Sequence, residues 1–416
     1  MKYDVVVLGA GMIGVSCALH LQAKGKSVVL LDRRPPGLET SYGNAGIIQC
    51  EAIEPYELPR KLSFLLSVAT NRRVDVRYHP SALMQLLGPL RSYYRNSAPE
   101  IHATIAKAYE SIIALSLETH EQLITAARAE ALKGGDGFCT LFRTESELEK
   151  FLAKADRRER HGIRLKKLDA AAIHVLEPAI SSAFIGGVHW LDPVPIKDPG
   201  ALVQAYARLF EEHDGLVMQG DAMSLQRIGT QAWQVDAADA QMIQCSKVVV
   251  ALGPWSVALT RRFGYAPPLF PKRGYHMHYA PTQGGPLNHP IIDAEYGYVV
   301  VPTTTGIRLT TGAELALVDA PATPHQLHAA EAIAKRDFPL GERIDAEPWK
   351  GARPCFPDMK PVIGAVPGVD GMWCAFGHGH QGFTLGPITG ELLAAQMTGA
   401  KPRIDMTAFS PARPFV

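Results

Sequence analysis

The chain has 416 residues, of which 47% are apolar and 20% charged, and its formal net charge is +1. This length favours two domains over a single core, and the balanced charge argues against binding nucleic acid through a strong overall field. Six cysteines without a CxxC pair or regular spacing argue against a disulfide framework or a zinc site, and indicate a reducing compartment.

The first predicted elements are a strand, a glycine turn, a helix and a second strand. Residues 3–8 form an apolar run typical of a parallel strand buried on both faces. The turn GAGMIG opens a helical stretch that reaches about Lys24, and the apolar run SVVLLD ends at Asp32. Residues 34–50 are rich in Pro, Gly, Ser and Asn, so we predict a loop there.

The middle of the chain mixes both element types. Helices are predicted over 97–133 and 198–213 from their apolar spacing. Alternating patterns over 231–236 and 296–312 predict antiparallel strands with one wet face. The run SKVVVA at 246–251 returns to the buried parallel type, so the chain is predicted to leave the first domain and come back to it.

Two apolar stretches with flanking Arg and Lys, 61–70 and 82–94, are predicted to pack in a core or interface, with a membrane surface as the alternative. No run of about 18 uninterrupted apolar residues occurs, which argues against a transmembrane helix. Lys2 and the apolar run after it mimic a signal peptide, but cleavage would destroy the glycine turn. We therefore expect a cytoplasmic protein, with peripheral contact to the inner face of the cell membrane as an option.

The glycine turn carries the first functional signal. Gly9, Gly11 and Gly14 fill the GxGxxG pattern, in which the first glycine makes a tight turn, the second admits a pyrophosphate and the third lets the helix pack on the sheet. Asp32 ends the second strand, where a carboxylate can bind ribose hydroxyls. Asp32 would repel a 2′-phosphate, so Arg33 is expected to face solvent or the pyrophosphate. This order of elements predicts a dinucleotide site.

Two further segments favour FAD over a nicotinamide. The polar segment ETSYGNAG (39–46) follows the ribose acid directly. Residues 377–394 form a second glycine-rich turn that runs into a helix, whose N-terminus can stabilise negative charge on a reduced isoalloxazine. A cofactor that needs both ends of the chain must be long, as FAD is.

With these residues in view, the chain resembles the D-amino acid oxidase superfamily of FAD enzymes, and within it bacterial D-amino acid dehydrogenases. The matching segments are GAGMIG with Asp32, ETSYGNAG, VVVALGPWS, PKRGYHMHY, GARPCFPDMKPVIG and GHGHQGFTLGPITG. The resemblance implies an α/β fold with a Rossmann-like FAD-binding domain formed by 1–50, 165–256 and 345–416. An α+β substrate domain with an antiparallel sheet would take 51–164 and 257–344.

The resemblance also implies that FAD is bound without a covalent bond. Sarcosine-oxidase-like relatives attach flavin through a cysteine in this C-terminal region, close to Cys355, but Arg353 fits the dehydrogenase pattern instead. No metal is predicted. The predicted cofactor contacts are Gly9, Gly11, Gly14, Asp32, Arg33, Thr40, Ser41, Asn44, Gly46, Gly253, Trp255, Gly379, Gly382, Phe383 and Thr384.

Arg353 matches the arginine that this family uses to hold the substrate carboxylate, and a guanidinium fork suits that task. A structural pairing of Arg353 with Asp358 is the alternative. A tyrosine hydroxyl commonly assists in this family, and Tyr296 and Tyr298 are the candidates because they share one face of a predicted strand. The sequence does not decide between these two tyrosines.

The implied reaction is the oxidative deamination of a D-amino acid. A hydride would pass from Cα to flavin N5, giving an imino acid that water converts to a 2-oxo acid. A cyclic substrate such as D-proline or 4-hydroxy-D-proline fits, because no acid in the predicted pocket requires a cationic side chain. Electrons would then pass to a quinone or another acceptor. A glycine- or sarcosine-type amine oxidase and the flavin subunit of a larger assembly are the alternatives, and the oligomeric state stays open.

Overall fold

The computed structural model describes residues 2–229 and 232–415. Within these ranges the chain forms a seven-stranded sheet, an eleven-stranded sheet, a two-stranded ribbon and eleven α-helices. The strands are β1 (Lys2–Leu8), β2 (Val28–Asp32), β3 (Ile47–Ile48), β4 (Val76–Tyr78), β5 (Phe138–Phe142), β6 (Leu165–Asp169), β7 (Gly186–Trp190), β8 (Val194–Pro195), β9 (Leu216–Ile228), β10 (Ala232–Ala237), β11 (Met242–Val250), β12 (Phe270–Pro281), β13 (Ile291–Asp293), β14 (Tyr298–Pro302), β15 (Ile307–Thr310), β16 (Ala313–Leu315), β17 (Leu340–Arg343), β18 (Trp349–Cys355), β19 (Val362–Ala365) and β20 (Met372–Phe376). The helices are α1 (Met12–Ala23), α2 (Leu62–Ala69), α3 (Pro80–Asn96), α4 (Pro99–Ile113), α5 (Ser116–Ala126), α6 (Glu145–Arg160), α7 (Ala170–Leu176), α8 (Pro199–Glu212), α9 (Ser256–Thr260), α10 (His325–Asp337) and α11 (Gly386–Met397).

The seven-stranded sheet is built around β1, which pairs in parallel with β2 on one side and β11 on the other. Its order is β1-β2-β9-β10-β11-β20-β19, with β10 antiparallel to both of its neighbours. Val5 and Val7 enter one core cluster, whereas Val6 and Leu8 enter a second cluster on the opposite face. Strand β1 is therefore buried on both faces, as its uninterrupted apolar sequence predicts.

The turn between β1 and α1 depends on two glycines. Gly9 has φ = +107°, a left-handed conformation that residues with a Cβ rarely adopt. A Cβ added at Gly14 would overlap the Gly9 carbonyl oxygen. On its other side α1 packs against α11, where a Cβ at Gly390 would overlap the Ser16 carbonyl oxygen. The first and last α-helices of the chain thus form one layer on the sheet.

The eleven-stranded sheet is built around β12, which pairs in antiparallel fashion with β15, β16, β17 and β18. It continues through β14 and β13 to β5, β7 and β6, with parallel pairing at β13–β5 and β16–β4. Alternation along β14 and β15 sends Tyr298, Val300 and Leu309 into a core that includes residues of α10. The two sheets together confirm the predicted α/β fold with a second, largely antiparallel unit.

Two helices, α4 and α5, replace the single helix predicted over 97–133. The chain turns at Ala114 and Leu115 between them. His120 of α5 hydrogen-bonds the Tyr206 hydroxyl of α8 at 3.1 Å. The break lets α5 pack on the helices of the first sheet, a constraint that the local apolar spacing does not show.

The strand predictions need three adjustments. The stretch 296–312 is two antiparallel strands, β14 and β15, joined by a turn. The strand predicted over 231–236 begins at Ala232 as β10, and residue 231 lies outside the described residues. Residues 165–190 and 349–355 contribute β6, β7 and β18 to the eleven-stranded sheet, although the sequence assigns both ranges to the FAD-binding domain. Strand patterns do not reveal which sheet a strand will join.

Helices α2 and α3 form a surface hairpin, residues 60–97. Arg60 before α2 donates to the Tyr94 carbonyl near the end of α3 (2.8 Å), and Tyr78 before α3 donates to the Ala69 carbonyl at the end of α2 (2.9 Å), so the helices run antiparallel. Its exposed large apolar side chains are Leu62, Leu66, Met84 and Leu87. Helix α3 buries part of one face, as predicted, whereas every residue of α2 stays partly or fully exposed. Over the ranges that the structure describes, no helix has both the length and the apolar character that a membrane span requires.

Candidate active site

A cavity of about 440 Å³ is lined by both sheets. It begins at the glycine turn and Asp32, at the carboxyl ends of β1 and β2, and reaches Gly274 and Arg353 in the second sheet. Residues of the segment 375–383 also line it, so both ends of the chain meet there. A cleft outside the carboxyl ends of parallel strands is the usual ligand site of open α/β sheets.

The first end of the cavity is organised by Asp32. Its Oδ2 accepts from the Ala10 N–H (2.6 Å) and its Oδ1 from the Arg34 N–H (3.2 Å). Burial raises the pKa of Asp32, while these N–H donors oppose the rise. The Ser41 Oγ accepts from the Met12 N–H (3.0 Å), which ties the polar loop to the start of α1.

The same end is open where a phosphate would approach. A Cβ at Gly253 would meet nothing within 4 Å, and one at Gly11 would meet only the Ser41 Oγ, at 3.2 Å. Arg33 forms an ion pair with Glu39 (2.7 Å), lies 4.4 Å from the centre of the Trp255 ring and is 54% exposed. The sequence predicts that Arg33 faces either solvent or the pyrophosphate, and in the structure its side chain faces solvent at the edge of the cavity.

Most of the predicted cofactor contacts line the cavity. These are Gly9, Gly11, Asp32, Arg33, Thr40, Ser41, Asn44, Gly253, Trp255, Gly379, Gly382 and Phe383. Gly14, Gly46 and Thr384 lie behind its walls. The two glycines leave room for neighbouring backbone, and the Thr384 hydroxyl accepts from the Gln49 N–H (3.2 Å). These three residues therefore support the walls.

Arg353 presents a cation to the other end of the cavity, with no carboxylate partner among the described residues. Its guanidinium lies against Gly274, where an added Cβ would come within 2.9 Å of Nη1 and Nη2. Nη1 donates to the Gly312 carbonyl (2.8 Å) and Nη2 to the Thr311 carbonyl (3.2 Å). Burial lowers the pKa of Arg353, but an arginine still keeps its charge.

The alternative pairing of Arg353 with Asp358 is wrong. Asp358 binds Arg413 instead, with 2.7 Å between Oδ2 and Nε, and Arg413 is itself buried. The N–H groups of Arg353 that do not donate to the carbonyls of Arg273, Gly312 and Thr311 are thus available to an anionic ligand.

The two tyrosines predicted to hold the substrate carboxylate lie outside the cavity, which corrects that assignment. Tyr298 is fully buried beside Asp293 and Arg143. Tyr296 stacks on Tyr298 with ring centres 6.5 Å apart, so the two do share one face. That face points into the core, because the next residue, Val299, is the one that lines the cavity.

Tyr56, which the sequence reasoning missed, projects into the cavity. The residue is 56% exposed where it lines the cavity, and its ring centre lies 5.0 Å from that of His380. Burial, with a smaller contribution from Glu51, raises the pKa of Tyr56, while Arg353 is among the groups that oppose the rise. The hydroxyl therefore keeps its proton at neutral pH and can donate to an anion. Its only sequence signal is an aromatic residue in the loop EPYELP, which lacks any periodic pattern.

The histidines of the second glycine turn are neutral. His378 hydrogen-bonds the Thr389 hydroxyl (3.0 Å), and burial lowers its pKa to about 3. Burial, reinforced by Arg353 and Lys272, holds the pKa of His380 well below its usual value. No group of three or more His, Cys, Asp or Glu residues within 2–229 and 232–415 is arranged to hold a metal ion.

The fold and cavity define a protein that binds a long dinucleotide across the carboxyl edge of a parallel sheet. FAD fits this site on structural grounds, because the open glycines, the ribose acid and the second glycine turn lie along one continuous cavity. Residues 4–396 match the DAO family, described as FAD dependent oxidoreductase. The chain belongs to this family, and FAD is its cofactor.

Individual relatives agree with this placement. The chain is 29% identical over 416 residues to a D-amino acid dehydrogenase of Chromohalobacter salexigens, covering 97% of each chain. It is also 29% identical to a D-amino-acid oxidase of Bradyrhizobium diazoefficiens, covering 98% of each. Among solved structures, glycine oxidase from Geobacillus kaustophilus superposes with a TM-score of 0.75 at 20% identity over 99% of each chain. The last comparison supports the fold alone.

Proposed function

We propose that the protein is a D-amino acid dehydrogenase that holds FAD without a covalent bond. The observation that carries the proposal is the Arg353 guanidinium, which faces the FAD cavity with no carboxylate partner among the residues that the structure describes. An amino acid offers the matching anion. The names of the full-length relatives, D-amino acid dehydrogenase and D-amino-acid oxidase, support the D configuration.

In this proposal Arg353 binds the substrate carboxylate through its fork and Tyr56 donates to the same group. FAD, held by the glycine turn, Asp32 and the second glycine turn, supplies the two-electron acceptor when bound. Desolvation and the nearby Arg353 charge disfavour a protonated substrate amine, so no protein base is needed to neutralise it. Water then hydrolyses the imine of a primary amine to a 2-oxo acid and ammonia, whereas the cyclic imine formed from a proline opens to an amino-2-oxo acid and releases no ammonia.

A cyclic substrate such as D-proline or 4-hydroxy-D-proline belongs to this proposal. The acids that line the main cavity are Asp32, Glu39 and Asp221, at its nucleotide end. At the Arg353 end, the lining of the main cavity therefore offers no carboxylate to a cationic side chain. The flat Trp349 ring lines the cavity near Arg353 and gives an apolar surface suited to a ring.

The proposed electron acceptor is a quinone, reached through peripheral contact of the surface hairpin with the inner face of the cell membrane. Residues 60–97 contain seven Lys or Arg and one Asp or Glu, and that acid, Asp75, is paired with Arg73. The exposed apolar side chains Leu62 and Leu66 lie on the same hairpin. Apolar and basic residues together suit an anionic lipid surface.

We expect D-amino acids, prolines included, to bleach the visible flavin absorbance of the holoenzyme without oxygen, and their L-enantiomers to leave it unchanged. A quinone dissolved in anionic lipid vesicles should reoxidise the flavin faster than oxygen does. Stoichiometric peroxide in air would favour a glycine- or sarcosine-type amine oxidase instead. The proposal would be refuted if no D-amino acid bleached the flavin. Activity that requires a second, copurified chain would indicate instead that the protein is the flavin subunit of a larger assembly.

We expect Tyr56→Phe to raise KM for the amino acid about tenfold with a smaller change in kcat, because one hydroxyl that donates to the carboxylate is lost. Tyr298→Phe is the matched control, since its hydroxyl faces Asp293 and Arg143. Steady-state kinetics on both variants test whether Tyr56, rather than Tyr298, binds the substrate carboxylate. A larger rise in KM for Tyr298→Phe than for Tyr56→Phe would contradict it.

A further inference from the structure

Lys272 lies directly across from Arg353 in the pairing of β12 with β18. Residues directly opposite on antiparallel strands project from the same face, so the two cations are neighbours, although only Arg353 lines the main cavity. Like charges in this arrangement repel, and burial increases the cost. Lys272 is only 8% exposed, and like Arg353 it forms no ion pair with any carboxylate in the described ranges. Two adjacent buried cations without a carboxylate partner indicate a binding site for a ligand that supplies negative charge or hydrogen-bond acceptors.

Lys272 opens into a separate chamber of about 30 Å³. The chamber shares Tyr56 and the turn residues 377–380 with the main cavity, so it adjoins the substrate end. Its volume admits a group about the size of one water molecule, such as a hydroxyl or one carboxylate oxygen. The chamber is thus large enough for a substituent of the substrate and too small for a second molecule of substrate.

No carboxylate in the described ranges compensates the charge of Lys272, although Tyr93 and Cys355 stabilise the ammonium and raise its pKa against the effect of burial. Its Nζ lies 4.1 Å from the centre of the Tyr93 ring and 5.5 Å from that of Phe270, which are cation–π distances. Glu54 lines the chamber but lies outside ion-pair distance of Lys272. His380, on the same wall, is neutral and adds no negative charge.

We propose that Lys272 and Arg353 form a two-cation site that selects amino acids carrying a side-chain oxygen in addition to the α-carboxylate. Arg353 takes the carboxylate, as in the proposed function on which this inference rests, and Lys272 donates to the second oxygen in the chamber. The oxygen belongs to a ring hydroxyl, as in 4-hydroxy-D-proline, or to a distal carboxylate, as in D-glutamate. Either oxygen can accept a hydrogen bond from the Lys272 ammonium.

Equilibrium binding tests the site without turnover. Glutarate and pentanoate have the same five-carbon chain, and only glutarate carries a second carboxylate. Calorimetry on the holoenzyme should show glutarate binding about tenfold more tightly or better, and Lys272→Met should bring the ratio of the two Kd values close to one. A ratio near one in the wild-type protein overturns the proposal, whether or not any variant folds. Because this readout needs no turnover, it stays decisive even if every D-amino acid fails as a substrate.

Turnover then identifies the source of the oxygen. The wild-type kcat/KM should favour 4-hydroxy-D-proline over D-proline, or D-glutamate over D-norvaline, by about tenfold, and Lys272→Met should abolish the preference. Lys272→Gln keeps a donor without the charge, so it should preserve a hydroxyl preference and lose a carboxylate preference. Preferences unchanged in Lys272→Met would refute the selection role.

Thermal unfolding separates selection from a structural role. Without ligand, Lys272→Met should melt close to the wild-type temperature, because the loss of the cation–π contacts with Tyr93 and Phe270 offsets the removal of a desolvated charge opposite Arg353. A lower melting temperature with unchanged ligand ratios would show that Lys272 only supports the fold. Lys247→Met is the matched control: its Nζ also lies over an aromatic ring, 5.9 Å from Trp373, but in the first sheet. That variant should leave both the binding ratio and the preference unchanged.

Discussion

Arg353→Met should lower kcat/KM for the amino acid about 100-fold, mainly through KM. The reason is that the cavity then loses the charge-assisted fork that fixes the carboxylate, and each such hydrogen bond contributes about 1.5–3 kcal/mol. The nucleotide end of the cavity lies elsewhere, so the purified variant should keep its FAD. Steady-state kinetics and the ratio of flavin to protein absorbance measure both effects.

Arg353→Lys provides the graded control. It keeps a positive charge but loses the planar fork, so its kcat/KM should fall between those of the wild type and Arg353→Met. Wild-type kinetics in Arg353→Met would remove the basis for placing the carboxylate there. Loss of FAD in the same variant would instead show that the guanidinium holds the cofactor.

Gly14→Ala should yield protein that is largely free of flavin. The new Cβ would overlap the Gly9 carbonyl oxygen, so the turn must move or α1 must retreat from the sheet. Overpacking of this kind costs about 1–3 kcal/mol, and here the strain falls on the loop that receives the pyrophosphate. Fluorescence titration of the apoprotein with FAD should show a Kd at least about tenfold higher than that of the wild type.

Gly88→Ala is the control for this second substitution. Gly88 lies inside α3, and a Cβ there would meet nothing within 4 Å. The change should leave the flavin content unaltered and alter the stability of the helix little, because the helical preference of Ala over Gly is opposed by Pro89, which disfavours a helical conformation in a preceding residue that has a Cβ. Equal flavin content in the two variants would show that the turn tolerates a side chain at position 14.

The nucleotide end of the site follows from the sequence because its determinants are local. Gly9, Gly14 and Asp32 lie within one βαβ unit, and each requirement is set by backbone geometry over a few residues. Most of the predicted cofactor contacts accordingly line the cavity. The exceptions, such as Thr384, pack behind the residues that line the cavity. Sequence spacing does not distinguish a residue that lines the cavity from one that packs behind it.

The substrate end depends on features that are not local. A period-two pattern places Tyr296 and Tyr298 on one face of a strand but does not say which face looks at the ligand. Tyr56 arrives from an irregular loop that carries no periodic signal. The choice between Asp358 and a free Arg353 turns on Arg413, which lies 60 residues after Arg353 near the C-terminus. Likewise, Lys272 meets Arg353 only through the register of two distant strands.

The packing of α1 on α11 bears on how the enzyme acquires its cofactor in the cell. The nucleotide fingerprint is synthesised well before β19, β20 and α11, which lie more than 300 residues further along the chain. Until they arrive, β11 lacks its partner β20, and the side of α1 that packs on α11 is uncovered. Flavin loading is therefore expected only after these elements have been synthesised, and until then the nascent chain exposes apolar surface that favours aggregation.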